Sequence, residues 1–221
     1  MTAQLIFDFP RLGHYSLDRF VGDLGEQALA VRGEPLRISG AAESGKSHLL
    51  KGLCQTVEAE QARAVYLNLE PTLDPAILRD LAAFDLVALD QLDAVIGQPD
   101  WELALFELDN SVRDLGGSWL VLASETPLPK ISFQLADFAS RARAMHWMQT
   151  GQLTDDEKVV VLKRVAQETG FQLPDEVLRF LLDRAPREIG TLIGLLNRLA
   201  KESLRAQRRL TVPFLKQILE L

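Results

Sequence analysis

The residues best suited to chemistry form a glycine-bounded loop in the N-terminal half of the chain. Gly40-Ala41-Ala42-Glu43-Ser44-Gly45-Lys46-Ser47 fits the pattern G-x-x-x-x-G-K-[ST], and it lies between an apolar run and a helical pattern. Gly40 and Gly45 let the backbone curl so that its amides face phosphate groups, and the following helix N-terminus adds positive potential. Lys46 would then reach the β- and γ-phosphates of a nucleotide, and Ser47 would hold Mg²⁺. The alternative is a glycine-rich turn with an incidental lysine.

A second part expected of such a site is an apolar strand that ends in an aspartate. Leu86-Val87-Ala88-Leu89-Asp90 supplies it, and Asp90 would hold Mg²⁺ through water. The alternative is an aspartate that caps a helix after a core strand. The next residue is Gln91, whose amide can orient water but cannot accept its proton. We therefore expect at most a weak intrinsic ATPase, because Asp93 and Glu43 do not stand at the position expected for a general base.

The elements that must position these motifs alternate along residues 1–150. Short apolar runs typical of strands occur at Leu36–Ser39, Ala64–Leu69, Leu86–Asp90, Trp119–Ser124 and Ala144–Gln149. Helical patterns lie between them at Lys46–Ala62, Pro75–Ala83, Trp101–Asp114 and Ser132–Arg141. This alternation predicts an α/β fold with a parallel five-stranded sheet and helices on both faces.

Residues 151–221 have helical patterns only, and their charge differs from that of the preceding part. They carry 12 basic and 10 acidic side chains, whereas residues 1–150 carry 12 basic and 21 acidic. Thr154 and Glu157 predict a capping box, and further helices are expected to begin near Pro174, Pro186 and Thr211. We therefore predict an α/β core at 16–150 and a separate all-helical part at 151–221.

Composition limits the classes of function. Apolar residues make up 47% of the 221 residues and charged residues 25%, which is typical of a globular protein. The net charge of −7 argues against attraction of the whole protein to DNA or to anionic membranes. A single cysteine excludes an internal disulfide, and neither a signal peptide nor a membrane span is visible. We expect a cytoplasmic protein.

The phosphate loop, the strand ending at Asp90 and the C-terminal helices resemble AAA+ proteins of the DnaA initiator group. Leu17-Asp18-Arg19-Phe20-Val21 resembles the segment beside the adenine in that group, which implies that Phe20 and Val21 pack on the base. An ordinary N-terminal core segment is the alternative. Ser124 stands at the strand end where the resemblance implies a sensor 1 group near the γ-phosphate, although a strand-end cap explains it equally well.

Two arginines match motifs of the same group. Ala139-Ser140-Arg141 resembles the box that carries an arginine finger, which implies that Arg141 stabilises charge on a phosphoryl group held by a neighbouring protomer. Arg143 is the fallback, and a solvated cation at a helix end is the alternative. Pro186-Arg187-Glu188-Ile189 resembles the sensor 2 segment, which implies that Arg187 contacts nucleotide phosphate in cis.

The resemblance is strongest to the Hda family, the DnaA-homologous regulators that inactivate the initiator. The stretch 206–214 is especially similar to that family, and the chain stops at Leu221, where the initiator continues into a DNA-binding domain. The resemblance implies a negative regulator of bacterial replication initiation that binds ADP or ATP with Mg²⁺. Residues 151–221 would be its helical lid, and the initiator DnaA would be its partner. A homo-oligomer is also expected, since AAA+ modules generally work in assemblies.

The N-terminus carries a second resemblance. Gln4-Leu5-Ile6-Phe7-Asp8-Phe9 is similar to the short peptides that bind the bacterial sliding clamp. The amide of Gln4 can form hydrogen bonds at a pocket edge, while Leu5, Phe7 and Phe9 supply apolar anchors. We therefore interpret residues 1–15 as a clamp-binding peptide. An edge strand on the protein's own sheet is the alternative.

Three other functions stay open at this point. A self-sufficient AAA+ ATPase such as a helicase loader would turn ATP over despite Gln91. A small-molecule kinase would place its phosphate loop nearer the N-terminus. A pure adaptor would hold its nucleotide structurally and would function without Arg141. The basic residues of 198–209 allow DNA contact, indirectly through clamp-loaded DNA, but such a run is more often a solvated face.

Overall fold

The computed structural model describes residues 15–127, 130–186 and 188–219, and the chain divides into two compact units. The first, which we call the core unit, comprises residues 1–151, and the second, the helical unit, comprises residues 152–221. The strands of the core unit are β1 Leu36–Ser39, β2 Ala64–Asn68, β3 Leu86–Asp90, β4 Trp119–Ser124 and β5 His146–Gln149. Its helices are α1 Leu24–Ala30, α2 Lys46–Ala59, α3 Pro99–Leu115 and α4 Ala136–Ala144, with 3₁₀ turns at Leu17–Arg19, Pro75–Leu78, Leu81–Ala83 and Leu92–Ala94.

The five strands form one parallel sheet in the order β2-β3-β4-β1-β5. The prediction of an α/β fold with a parallel five-stranded sheet is therefore confirmed. The strands β1, β3 and β4 have the predicted bounds, because each is a short apolar run with a clear boundary. Since the strands are parallel, their carboxyl ends lie at the same edge, and Ser39, Asp90 and Ser124 end three neighbouring strands there.

Several predicted elements differ from the observed ones, and α2, predicted to reach Ala62, ends at Ala59. The stretch Pro75–Ala83 is not one helix but two 3₁₀ turns, because Asp80 adopts a left-handed conformation with φ = 65° and interrupts the helix. The strand predicted from Ala144 begins at His146, since α4 continues through Ala144. That helix also begins at Ala136 rather than at Ser132.

Alternating side chains of the sheet enter two apolar layers. On one face, Leu36, Ile38, Leu86, Ala88 and Val121 pack against α1 and α2. On the other face, Val87, Leu89, Leu120 and Leu122 pack against α3 and α4. This alternation follows from the two-residue period of a strand. The packing on the first face holds the first turn of α2 against the side of the sheet onto which Asp90 projects.

The helical unit consists of α5 Asp155–Glu168, α6 Asp175–Arg184, α7 Ile189–Ala206 and α8 Val212–Leu219. Thr154 and Glu157 form the predicted capping box. The third helix begins at Ile189 and not at Pro186. Leucines on the inner faces of the four helices make a separate core: Leu162, Leu178, Leu181, Leu192, Leu196, Leu199 and Leu215. Within the part of the chain that the structure describes, no helix is both long and apolar enough to cross a bilayer.

Candidate nucleotide site

The loop between β1 and α2 needs glycine at two positions. Gly45 precedes α2 with φ = 90°, a left-handed conformation that side chains disfavour. At Gly40, a Cβ atom would overlap the hydroxyl of Thr150 and approach the Ser44 Oγ to 2.7 Å. The hydroxyls of Thr150 and Ser44 are 2.6 Å apart, so they close the base of the loop. The sequence thus produces a curled backbone that leads directly into the N-terminus of a 14-residue helix.

Lys46 lies inside this loop. Its Nζ donates to the carbonyl oxygens of Gly40 at 2.6 Å and Ala41 at 2.8 Å, and the residue is buried. Desolvation lowers the pKa of Lys46, while the negative charges of Asp90, Glu125 and Asp93 oppose that shift. An ammonium that is partly stripped of water and surrounded by backbone dipoles is suited to bind an anion, because phosphate oxygens can replace the missing hydration.

Asp90 is fully buried at the end of β3 and accepts three hydrogen bonds. Its Oδ2 accepts from the Ser47 hydroxyl at 2.5 Å and from the Tyr66 hydroxyl at 2.8 Å. Its Oδ1 accepts from the backbone N–H of Gln91 at 2.8 Å. Burial, and the adjacent Asp90 carboxylate, raise the pKa of Tyr66. The structure therefore brings together Lys46, Ser47 and Asp90, the ammonium, hydroxyl and carboxylate named in the sequence analysis.

These residues fit a polyphosphate together with Mg²⁺. A hydroxyl and a carboxylate oxygen are the hard ligands that Mg²⁺ uses together with substrate phosphates. The loop has no room for a Cβ at Gly40, and its lysine is held at the helix N-terminus. The arrangement can therefore bind a polyphosphate and a hard divalent cation.

The two candidates for handling a water near Asp90 are Gln91 and Asp93. Gln91 is exposed and adopts a left-handed conformation, with φ = 60° and ψ = 41°. The carboxylate of Asp93 accepts from the backbone N–H groups of Glu125 at 2.5 Å and Thr126 at 2.9 Å. Asp93 thus holds the segment that follows β4. Both of its oxygens take part in holding this segment, which gives a structural reason not to assign Asp93 as a base.

Ser124 lies beside the phosphate loop at the end of β4. Its backbone carbonyl accepts from the Gly40 N–H at 3.2 Å, and the residue is buried. Its hydroxyl donates to the carbonyl of Thr126 at 2.9 Å. The hydroxyl proton therefore closes the following turn, and the oxygen keeps lone pairs that could accept a further hydrogen bond.

The predicted adenine-side segment packs on the first turn of α2. Phe20 approaches the loop, since its Cε2 lies 3.0 Å from the position of a Cβ on Gly45. The His48 ring makes edge contacts with Phe20 and Tyr15, with centroids 5.9 Å and 5.5 Å apart, and its Nε2 lies 3.2 Å from the Ser16 carbonyl oxygen. Val21 is half-buried. Burial lowers the pKa of His48.

Arg141 lies on α4 and contacts α3. Its Nη2 is 3.5 Å from the Asn110 Oδ1 and its Nε is 3.8 Å from the Asp109 Oδ2, and 42% of the side chain is exposed. Asp109 is fully buried and is bound more closely by Arg113, at 2.7 Å. Arg143 is exposed, and it forms no hydrogen bond or ion pair with the residues that the structure describes. The described partners of Arg141 therefore lie on α3 and not in the phosphate loop.

Other predicted residues lie outside the described part of the chain. They are Gln4, Leu5, Phe7, Phe9 and Arg187. Sequence reasoning also missed contributors to the site. Tyr66 and His48 were not identified, because their contacts depend on the pairing of β2 with β3 and on the packing of residues 15–20. The one available signal was an aromatic hydroxyl in the strand that precedes β3.

Known proteins resemble this chain over most of its length. The family model described as "Hda, lid domain" matches residues 155–219. A relative from Haemophilus influenzae, described as an uncharacterized protein, is 35% identical over 231 residues, which cover all of both chains. Domain III of the replication initiation protein DnaA from Thermotoga maritima superposes with a TM-score of 0.79 and 21% identity, and the match covers 93% of this chain and 95% of that one.

Two further structures extend the comparison. AMPPCP-bound DnaA from Aquifex aeolicus has a TM-score of 0.70 and 19% identity over 87% of this chain and 67% of its own. The Holliday junction branch migration motor RuvB from Thermotoga maritima has a TM-score of 0.72 and 15% identity over 95% and 72%. These similarities show that the chain shares its fold with DnaA and RuvB. The match to the family model shows that residues 155–219 are a lid domain of the Hda type.

Proposed function

We propose that this protein is a nucleotide-binding regulator of replication initiation, which stimulates ATP hydrolysis by DnaA while hydrolysing ATP poorly itself. One observation carries the proposal. Lys46, Ser47 and Asp90 form a complete set of groups for nucleotide and Mg²⁺, yet the residue after Asp90 is Gln91 and the nearby Asp93 is bound to backbone amides. The site is equipped to bind and is not equipped to remove a proton from water.

An adenine nucleotide is the ligand that this site supports best. The DnaA from Aquifex aeolicus, which has the same fold, binds AMPPCP. In this chain, the Lys46 ammonium would bind the phosphates. Ser47 would hold Mg²⁺, and the ion would neutralise part of the phosphate charge. Phe20 and Val21 would pack on the base, and Ser124 and Arg187 are proposed to contact phosphate. ADP is the expected resting ligand.

The poor hydrolysis follows from the groups near the phosphates. Attack on a γ-phosphate needs a water that is oriented and deprotonated in line with the leaving group. The amide of Gln91 can orient this water, but it has no basic lone pair for the proton. Moving Asp93 into that role would break its hydrogen bonds to Glu125 and Thr126. ATP bound to this chain is therefore expected to be hydrolysed only slowly.

The stimulating group is proposed to be Arg141. Its contacts to Asn110 and Asp109, at 3.5 Å and 3.8 Å, are long for hydrogen bonds, so little is lost when the guanidinium leaves them. Its partial exposure leaves it accessible to a neighbouring molecule. An arginine supplied in trans stabilises charge on the transferred phosphoryl group and accelerates hydrolysis by about 10³-fold or more.

A homo-oligomer is proposed as the working form. Docking on the sliding clamp through Gln4, Leu5, Phe7 and Phe9 would bring the protein to DNA-loaded clamps. The docking is supported by the residue types at the N-terminus. Equal recovery of the intact protein and a Gln4→Ala/Leu5→Ala variant on immobilised clamp would contradict it.

The function is tested by following phosphate release from ATP-bound DnaA in the presence of clamp-loaded DNA and this protein. We expect release to need every component and to fall at least about 100-fold with Arg141→Ala. Arg113→Ala is a matched control, because Arg113 also binds Asp109 but lies on α3. Arg143→Ala tests the neighbouring cation. Full stimulation by Arg141→Ala would refute the assignment of this arginine.

A further inference from the structure

The hydroxyl of Tyr66 donates a hydrogen bond to Asp90, the carboxylate that would hold Mg²⁺ through water. Tyr66 lies on β2, and its hydroxyl is 2.8 Å from the Asp90 Oδ2. The ring is half-buried, and the Nζ of Lys51 contacts it from outside at 4.8 Å from the ring centroid. The hydroxyl is therefore held against Asp90 by the packing of β2 and α2, and not by a chance rotamer at the surface.

The acceptor positions of Asp90 are nearly filled by the protein itself. An ionised carboxylate offers about four positions, two on each oxygen. Both positions on Oδ2 are used, one by Ser47 and one by Tyr66, while Oδ1 accepts from the Gln91 N–H. Because Asp90 is fully buried, the protein supplies these donors permanently.

This arrangement affects how Asp90 can serve a metal held at Ser47. Asp90 would act through a water bound to the metal, and that water must donate a hydrogen bond to the carboxylate. The nearer oxygen, Oδ2, already accepts from Ser47 and Tyr66, so the water would have to displace Tyr66 or bind the remaining position on Oδ1. A charge-assisted O–H···O⁻ bond is among the stronger hydrogen bonds in proteins, so displacing Tyr66 is unfavourable. The open position on Oδ1 belongs to the oxygen that Ser47 does not contact, so it serves a metal at Ser47 less well.

We propose that Tyr66 is a positioning residue that limits the contribution of Mg²⁺ to nucleotide affinity, so that the nucleotide is held nearly independently of the metal. The inference rests on the proposed nucleotide site. It agrees with the replacement of the base by Gln91, because a site that retains nucleotide without cleaving it has little need for tight coupling to Mg²⁺. The lysine and the loop amides then carry most of the phosphate affinity.

The test is the ratio of ADP dissociation constants measured by calorimetry in EDTA and in saturating Mg²⁺. In the wild-type protein, Mg²⁺ is expected to strengthen ADP binding by less than about threefold. Tyr66→Phe keeps the ring and opens the acceptor position, so Mg²⁺ should strengthen binding by about tenfold, the value of one charge-assisted hydrogen bond. Lys51→Met removes the ammonium but keeps an unbranched apolar side chain beside the ring, so the Tyr66 hydroxyl should stay on Asp90 and the ratio should equal that of the wild type.

The possible results have separate meanings. A wild-type ratio clearly above about threefold would overturn the inference, as would a Tyr66→Phe ratio equal to or below that of the wild type. The wild-type measurement can therefore refute the inference even if the variant does not fold. Failure of the wild-type protein to bind ADP under either condition would overturn the proposed function together with this inference, whereas ADP binding with an unchanged ratio in Tyr66→Phe overturns the inference alone.

Discussion

Lys46→Ala should separate nucleotide binding from stability. In the absence of nucleotide, the Nζ makes two hydrogen bonds to carbonyls, at 2.6 Å and 2.8 Å. Two such bonds from a charged donor stabilise the fold by roughly 3 kcal/mol or more in total. Burial of the ammonium opposes this stabilisation, as the lowered pKa of Lys46 indicates. The net change in the free energy of unfolding should therefore stay within about 1 kcal/mol.

The effect on binding should be much larger, because the ammonium would form charge-assisted bonds with phosphate oxygens. Loss of two such bonds corresponds to about 3–4 kcal/mol, or roughly 100- to 1,000-fold in the ADP dissociation constant. Calorimetric titration measures this change, and thermal unfolding with and without ADP provides a second assay. Saturating ADP should raise the melting temperature of the wild-type protein and should leave that of Lys46→Ala unchanged.

The control for this experiment is Lys51→Met, which removes a lysine five residues further along α2. It should keep ADP affinity within about threefold of the wild type, since Lys51 contacts the Tyr15 and Tyr66 rings and not the loop. An ADP affinity of Lys46→Ala equal to that of the wild type would refute the assignment of the phosphate site. A large loss of stability in the absence of nucleotide would show that the two hydrogen bonds of the Lys46 Nζ outweigh the cost of burying its ammonium, contrary to this prediction.

Three further predictions concern the core unit. His48 has a pKa lowered by burial, so the unfolded chain binds a proton that the folded protein does not, and stability should fall as the pH drops below about 6.5; His48→Gln should flatten this part of a denaturation-against-pH profile, and an unchanged profile would contradict the assignment. Glu102 is fully buried and accepts from three backbone N–H groups, including that of Leu135 at 2.6 Å, so Glu102→Ala should lower the free energy of unfolding, measured by denaturant titration, by about 3 kcal/mol or more; a change below about 1 kcal/mol would argue against this role. Gly40→Ala should lower ADP affinity at least about tenfold, because the added methyl group overlaps Thr150; calorimetry showing an unaltered affinity would contradict the close packing of the loop.

Local patterns were sufficient for the parts of the site that are continuous in sequence. The loop from Gly40 to Ser47 and the strand ending at Asp90 could be predicted, because the glycine spacing and the apolar run are each contained in a few residues. The parallel sheet then places the strand ends together, which explains why Ser47 and Asp90 meet at 2.5 Å.

Contacts between distant residues could not be predicted in the same way. The bond between Tyr66 and Asp90 depends on the register of β2 with β3, which no single segment determines. The engagement of Asp93 with the segment after β4 depends on a turn 32 residues away in sequence. The failure of Pro75–Ala83 to form one helix comes from the left-handed conformation of Asp80, which its residue type permits but does not require.

The most direct test of the account follows two labels in one reaction. The protein is loaded with ATP carrying one phosphorus isotope in the γ-phosphate and DnaA with ATP carrying another, and phosphate release is counted on clamp-loaded DNA in a single turnover. We expect the label on DnaA to be released and the label on this protein to stay bound. Rapid release of the label carried by this protein, with or without DnaA, would contradict the account and favour a self-sufficient ATPase.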